Sequence, residues 1–136
     1  MDAKTKVVLH FKDGRLIKGH TYDFVPGKER FHVAHGPEDA TVIEVATSDL
    51  KAVFYVRSFD GLPGHVRRKD FSEAEIRKIP GLKLKITFAD GEVLWGTTAG
   101  WSPGRPGFFV VPLDRDGNNE RVYVLTGATR SVEPVR

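Results

Sequence analysis

The sequence predicts an all-β protein built as two tandem five-stranded barrels joined by a linker with one short helix, on three observations. The chain repeats itself: Phe11-Lys12-Asp13-Gly14, Gly19, Thr21, Pro26-Gly27 and Phe31 return as Phe88-Ala89-Asp90-Gly91, Gly96, Thr98, Pro103-Gly104 and Phe108, at a constant offset of 77. Its apolar residues alternate in short runs, the pattern of half-buried strands. Those runs are closed by Asp-Gly and Pro-Gly pairs, which are turn chemistry. Copies of this size are each near the lower limit for folding alone, so the two are expected to pack together. The expected divisions are a first barrel over 4–57, a linker over 58–81 and a second barrel over 82–135.

Each copy opens with a strand in which Val7, Leu9 and Phe11, or Leu84, Ile86 and Phe88, share one face. A tight hairpin follows, with Gly14 and Gly91 expected at positive φ. With Asp13 and Gly14 as the two turn residues, His10 is expected opposite Ile17 and His20 opposite Val7, which puts these histidines on opposite faces. The second strands, Leu16–Tyr22 and Val93–Thr98, each carry an internal glycine, Gly19 and Gly96, which marks a sharp bend. Pro-Gly loops lead to third strands at Phe31–Ala34 and Phe108–Val111. Fourth strands are read at Thr41–Val45 and Arg121–Leu125, and fifth strands at Leu50–Val56 and Arg130–Glu133.

Residues 57–82 have no counterpart in either copy. Asp60-Gly61-Leu62-Pro63-Gly64 is loop by composition, and residues 73–79 read as a helix of about two turns. Ser72 with Glu75 makes a capping box, Phe71 and Ile76 can form a hydrophobic staple, and Pro80-Gly81 ends the helix. So short a helix needs to dock on a barrel or between the two.

The 136 residues contain no cysteine, which excludes disulfides, thiolate metal sites and a cysteine nucleophile. Met1-Asp2-Ala3-Lys4 leads into no apolar signal region, and no run is long and apolar enough to cross a bilayer. The expectation is a cytoplasmic protein that contacts no membrane. The net charge is +3, yet residues 1–57 carry nine Lys/Arg against eight Asp/Glu, residues 58–80 five against four, and residues 81–136 seven against six. Each segment is thus +1, and the longest basic run, Arg67-Arg68-Lys69, ends at Asp70. A mixed solvated surface accounts for this better than a phosphate-binding footprint, which concentrates its charge.

No motif signals catalysis: there is no G-x-S-x-G, no phosphate-binding glycine loop and no H-E-x-x-H. All five histidines, His10, His20, His32, His35 and His65, lie in the first 65 residues, but their spacing spreads them over different faces, so neither metal nor cofactor is expected. Asp114–Glu120 alternates oxygen ligands around Gly117 as a calcium loop does, but Leu125 stands where the bidentate glutamate belongs. The segment reads as a polar hairpin turn.

The best functional candidate is the loop between the second and third strands, present twice and different each time. Copy one offers Tyr22, Phe24, Lys28 and Arg30 around Pro26-Gly27, and copy two offers Trp101 and Arg105 around Pro103-Gly104. An aromatic beside a cation on a stiff loop can fill a partner's pocket or stack on a base. Equally, Phe24 and Trp101 can cover the open ends of their own barrels.

Val7-Val8-Leu9-His10-Phe11-Lys12-Asp13-Gly14-Arg15, then Gly19 and Tyr22-Asp23, resembles the first Sm motif. The resemblance covers about the first half of each copy and implies Sm-like or SH3-like barrels. Sm-like proteins recognise RNA through an asparagine after the second strand and an Arg-Gly step between strands four and five. Here Val25-Pro26-Gly27-Lys28 stands in the first place, and Ala46-Thr47-Ser48-Asp49 or Thr126-Gly127-Ala128-Thr129 in the second. The tandem pattern is also similar to an uncharacterised bacterial family with duplicated Phe-x-Asp-Gly barrels, which implies no activity. The expected role is a non-enzymatic binding or regulatory module engaging a protein partner through these loops or a strand edge. The alternative is single-stranded nucleic acid or a nucleotide on the same aromatic and basic residues. Homo-oligomers are conceivable, including rings in which three tandem chains supply six barrels.

Overall fold

The sequence's ten strands all form, and they form one sheet. The structure, a computed structural model, describes residues 4–61, 71–114 and 116–135. The first repeat supplies β1 (Thr5–Phe11), β2 (Leu16–Thr21), β3 (Arg30–His35), β4 (Thr41–Ala46) and β5 (Leu50–Val56). The second supplies β6 (Leu82–Phe88), β7 (Val93–Thr98), β8 (Gly107–Pro112), β9 (Asn119–Leu125) and β10 (Thr129–Val135). Among the described residues between them stands one α-helix, α1 (Glu73–Lys78), which Ser72 and Glu75 cap reciprocally, as the capping box predicts. Ile76 is its buried residue. The linker residues Leu62–Asp70, with His65 and the basic run Arg67-Arg68-Lys69, and Arg115 of the polar turn lie outside the described residues.

The expected pair of closed barrels is corrected by the strand order β10-β6-β7-β8-β9-β5-β1-β2-β3-β4, a single open antiparallel sheet. Neither repeat closes on itself, because β5 pairs with β9 of the other repeat, with Ala52 opposite Val124, Val53 opposite Tyr123 and Phe54 opposite Val122. The physical reason lies in β5: all seven of its residues are buried, so it needs cover on both faces and both edges. Alternate residues of β5 and β9 therefore enter different cores. Ala52, Phe54 and Val56 join Val122 and Val124 in a cluster with Leu84, Ile86, Phe88 and Val110. Val53 and Tyr55 join Tyr123 and Leu125 in a second cluster with Val7, Leu9, Phe31 and Val33. Each core is filled from both repeats.

The hairpin register is also corrected. His10 pairs with Leu16 and His20 with Lys6, one position from the two-residue expectation. The loop holds three residues: the Phe11 N–H donates to Arg15 O at 3.0 Å and the Gly14 N–H to Phe11 O at 3.1 Å, with Gly14 at φ 93°. That is a turn ending in a left-handed residue, which adds one residue to the connection. Because paired residues share a face, Lys6, His10 and His20 now lie on the same face rather than on opposite ones. His10 packs on Phe54 at 4.1 Å, and His20 is bound to Asp39 at 3.0 Å. The second hairpin matches the first: Phe88 donates to Glu92 O and Gly91 to Phe88 O, with Gly91 at φ 94°. Asp13 and Asp90 each accept the backbone N–H two residues on at 3.0 Å. Replacing Gly14 or Gly91 with valine is expected to cost at least about 1 kcal/mol, read as a lower urea midpoint at unchanged slope.

Lys51 ties β5 to the second hairpin. Its ammonium lies 2.7 Å from Asp90 and 2.5 Å from Glu92, and 4.6 Å from the Phe88 ring centre. Burial pulls the Lys51 pKa down, but the two carboxylates outweigh it and hold it above the ordinary lysine value. Lys51, with the Glu92 N–H, holds Asp90 below the usual carboxylate range. A depressed carboxylate stabilises the fold above its unfolded pKa and loses that contribution as pH falls through its folded value. The raised lysine contributes below its unfolded pKa and ceases to as pH rises through its folded value. Lys51→Met is therefore expected to flatten both flanks of a stability-against-pH profile. It should lower stability near neutrality by about 1 to 2 kcal/mol, less than for a fully buried pair because Asp90 keeps water.

Candidate functional site

The two strand-connecting loops are built alike and held stiffly. Val25-Pro26-Gly27-Lys28 is a turn closed by Lys28 N–H to Val25 O at 3.2 Å, with Gly27 at φ 85°. Ser102-Pro103-Gly104-Arg105 closes likewise at 3.3 Å, with Gly104 at φ 90°. Proline presets the first central angle and glycine takes the positive second one. A threonine then clamps each loop. Thr47 Oγ1 donates to Lys28 O at 2.7 Å and its N–H to Glu29 O at 2.9 Å; Thr126 Oγ1 donates to Arg105 O at 2.6 Å and its N–H to Pro106 O at 3.0 Å. These threonines escaped the sequence reading because the repeat offset changes from 77 to 79 (126 less 47) after the third strands.

In the first repeat Asp23 adds a further anchor. It accepts the His32 N–H at 2.9 Å, sits 2.8 Å from His32 Nδ1 and 3.4 Å from Lys28 Nζ. Burial pushes the Asp23 carboxyl up, but His32 and Lys28 outweigh it and keep it below the usual range. A carboxylate so engaged positions the loop.

A cleft of about 620 Å³ opens beside this loop, and it belongs to neither repeat alone. Gly27, Lys28 and Arg30 form one wall, and Lys12 and Ser48 another. The second repeat contributes Pro106, Tyr123 and Leu125. Three cations, Lys12, Lys28 and Arg30, face one acid, Glu29. Lys28 is engaged with Asp23, and Arg30 lies 3.4 Å from Glu44. Lys12 makes no ion pair among the described residues.

Tyr123 makes the cleft possible. It is 3 % exposed and runs from β9 into the first repeat's core, with its ring 5.3 Å from Phe24 and 5.1 Å from Phe109. The Gly27 N–H lies near its hydroxyl. Burial raises the Tyr123 pKa, opposed by that N–H and by the charge of Arg105. A Cβ on Gly107 would lie 2.4 Å from the Tyr123 hydroxyl, so only glycine lets the ring pass. The uninterrupted apolar run Val122-Tyr123-Val124-Leu125 was the available signal, since a strand buried on both faces does not alternate.

The predicted residues separate. Lys28 and Arg30 line the cleft, and Arg105 approaches it, with its carbonyl held by Thr126 and its guanidinium bonded to Gly100 O. Phe24 lies behind, against Phe31 at 4.8 Å and Tyr123, and serves as cover for the first core. Tyr22 is 54 % exposed and interacts with Lys4, and it does not line the cleft. Trp101 packs on the other core cluster, 6.4 Å from Phe108, and is half-buried. Trp101→Ala is accordingly expected to destabilise the chain by about 1 to 3 kcal/mol, less than for a fully buried indole, read by urea unfolding.

Two duplicated loops, two matching hairpins and a shared seam characterise the whole chain, and a family model covers it from residue 3 to residue 136. The chain belongs to DUF6982, a family of unknown function. No curated protein and no solved structure matches it. In this DUF6982 chain the turn Asp114–Asn118 is structural in what it contacts. Asn118 bonds both Ser58 N–H and Ser58 O, at 3.0 and 2.8 Å, and so ties the β8–β9 connection to the end of β5. Among the described residues no three histidine, aspartate or glutamate side chains converge as a metal site, and no helix is long and apolar enough to cross a membrane.

At the opposite end of the seam the structure gathers charge that is scattered in sequence. Lys4, Lys6, Arg57 and Arg121 border one groove with Glu120 as the acid. Arg121 lies 4.3 Å from the Tyr55 ring centre and 4.5 Å from that of Phe109.

Proposed function

We propose that this chain is a non-catalytic binding module of the cytoplasm, a compartment that suits a cysteine-free chain, and that it engages a protein partner at the seam cleft. Each repeat, in the order β5-β1-β2-β3-β4 or β10-β6-β7-β8-β9, is read as an opened Sm/SH3-like unit. The observation that carries the function is the composite cleft: a stiff loop bearing Lys28 and Arg30, and the cation Lys12, stand over Leu125 and Pro106. An apolar floor under a cationic rim suits an acidic segment with an apolar anchor. The carboxylates around the loops support a positioning role, since Asp13 and Asp23 are engaged with Arg15, His32 and Lys28.

A second reading, single-stranded nucleic acid, is favoured by the groove of Lys4, Lys6, Arg57 and Arg121. One experiment separates them: co-purification with the tagged whole chain at rising salt, analysed for protein and nucleic acid. The expected result is a protein partner whose recovery is lost with Lys12→Glu, while melting is unchanged and binding depends only weakly on salt. Nucleic acid retained by Lys12→Glu, with affinity falling steeply as salt rises and less steeply in Lys6→Ala, would overturn the protein reading.

A further inference from the structure

The two strands at the ends of the sheet, β4 and β10, are the repeat counterparts of β9 and β5, the strands that pair at the internal seam. The chain therefore shows how this repeat joins to another, and each end can be compared with the half of the seam it copies. The β10 end has lost the seam's character. Where the seam uses Val8, Ala52, Phe54 and Val56, the open end has Lys85, Ser131, Glu133 and Val135. Pro134 stands where the seam has Tyr55, removing a ladder donor as prolines do on edge strands. Charge and proline of this kind blunt a sheet edge, which works against head-to-tail continuation into rings or fibres.

The β4 end has kept part of that character. Val122 and Val124 of β9 correspond to Ile43 and Val45 and Arg121 to Val42, whereas Tyr123 and Leu125 correspond to Glu44 and Ala46. The strand has no proline, glycine or lysine, and its inner edge is fully paired with β3 from Arg30–Ala46 to His35–Thr41. Val42 is 64 % exposed, the most exposed large apolar side chain among the described residues.

We propose that β4 is the chain's assembly edge and that it pairs with β4 of a second copy, antiparallel about Ile43. This goes beyond the partner reading above and uses the strand edge, which adjoins the cleft at Ala46. An antiparallel two-fold centred on Ile43 places Val42 beside Glu44 of the second copy. It keeps Val42 and Glu44 on one face and Ile43 and Val45 on the other, as the pleat requires. The pairing uses one edge twice, so it stops at two chains. Because β10 is blunted, β4 is the end strand of a second copy that remains open to pairing.

Sedimentation velocity of the whole chain over a wide concentration range tests this. The expected result is a monomer–dimer equilibrium that Val42→Lys weakens at least about tenfold, with unchanged melting because the site is exposed, while Glu133→Lys on β10 leaves it unaltered. A chain monomeric throughout, a dimer indifferent to Val42→Lys, or a longer series of oligomers sensitive to Glu133→Lys overturns the proposal. Loss of partner binding in Lys12→Glu leaves this equilibrium untouched, so the two readings fail separately.

Discussion

Tyr123→Ala is expected to lower the stability of the whole chain by about 3 to 5 kcal/mol, the range for truncating a buried aromatic. The effect should not be confined to the second repeat, which supplies the residue. The ring fills the first repeat's core between Phe24 and Phe109, with its hydroxyl beside Gly27 of the first repeat's loop. One cooperative urea transition, shifted to lower midpoint for amide probes in both repeats, is the expected observation. Unfolding of one repeat alone would contradict the interleaved cores. Tyr123→Phe separates packing from the hydroxyl: with the ring kept, it should cost no more than roughly 1 kcal/mol.

Gly96→Ala is expected to cost about 3 kcal/mol or more, well above the usual small cost of an added methyl group. A Cβ there would lie 2.1 Å from Val110 Cγ1 and 2.7 Å from Val111 O. The side-chain atom can rotate away, but the carbonyl belongs to β8 and cannot move without parting β7 from β8, which pair only at Gly96–Pro112 and Thr97–Val111. Gly19→Ala should behave alike, with Ala34 O at 2.5 Å, and measuring both variants checks that the repeats use the glycine for the same close approach. Placed beside Gly14→Val, where nothing lies within 4 Å and only the φ angle is at stake, they separate steric from conformational cost.

Much of the backbone was legible because its determinants are local. The ten strands follow from alternation and turn residues, the helix from Ser72 and Glu75, and the left-handed glycines from the Asp-Gly and Pro-Gly pairs. The hairpin register was missed by one because a two-residue and a three-residue loop share the Asp-Gly signature; only the pairing of Phe11 with Arg15 distinguishes them. That single position moved His20 onto the face of His10. The candidate site was legible in part. Lys28 and Arg30 were found through the repeated loop, whereas Lys12, Leu50, Pro106 and Tyr123 came to it from distant segments.

The sequence by itself determined the duplication, the all-β class and the equivalent Asp-Gly and Pro-Gly turns, since the repeat is written in the residues themselves and the strands and turns rest on patterns a few residues long; the threonine clamps that stiffen the loops act from 19 and 21 residues away. Tertiary structure alone decided that the halves share one open sheet, that the cleft lies at their seam and that β4 and β10 are its ends. Those outcomes depend on which edge β5 chooses. Local patterning gives β5 two apolar faces and no instruction about its neighbour. The choice falls to β9 because its own apolar residues complete both cores at once, a match between residues 63 to 72 positions apart.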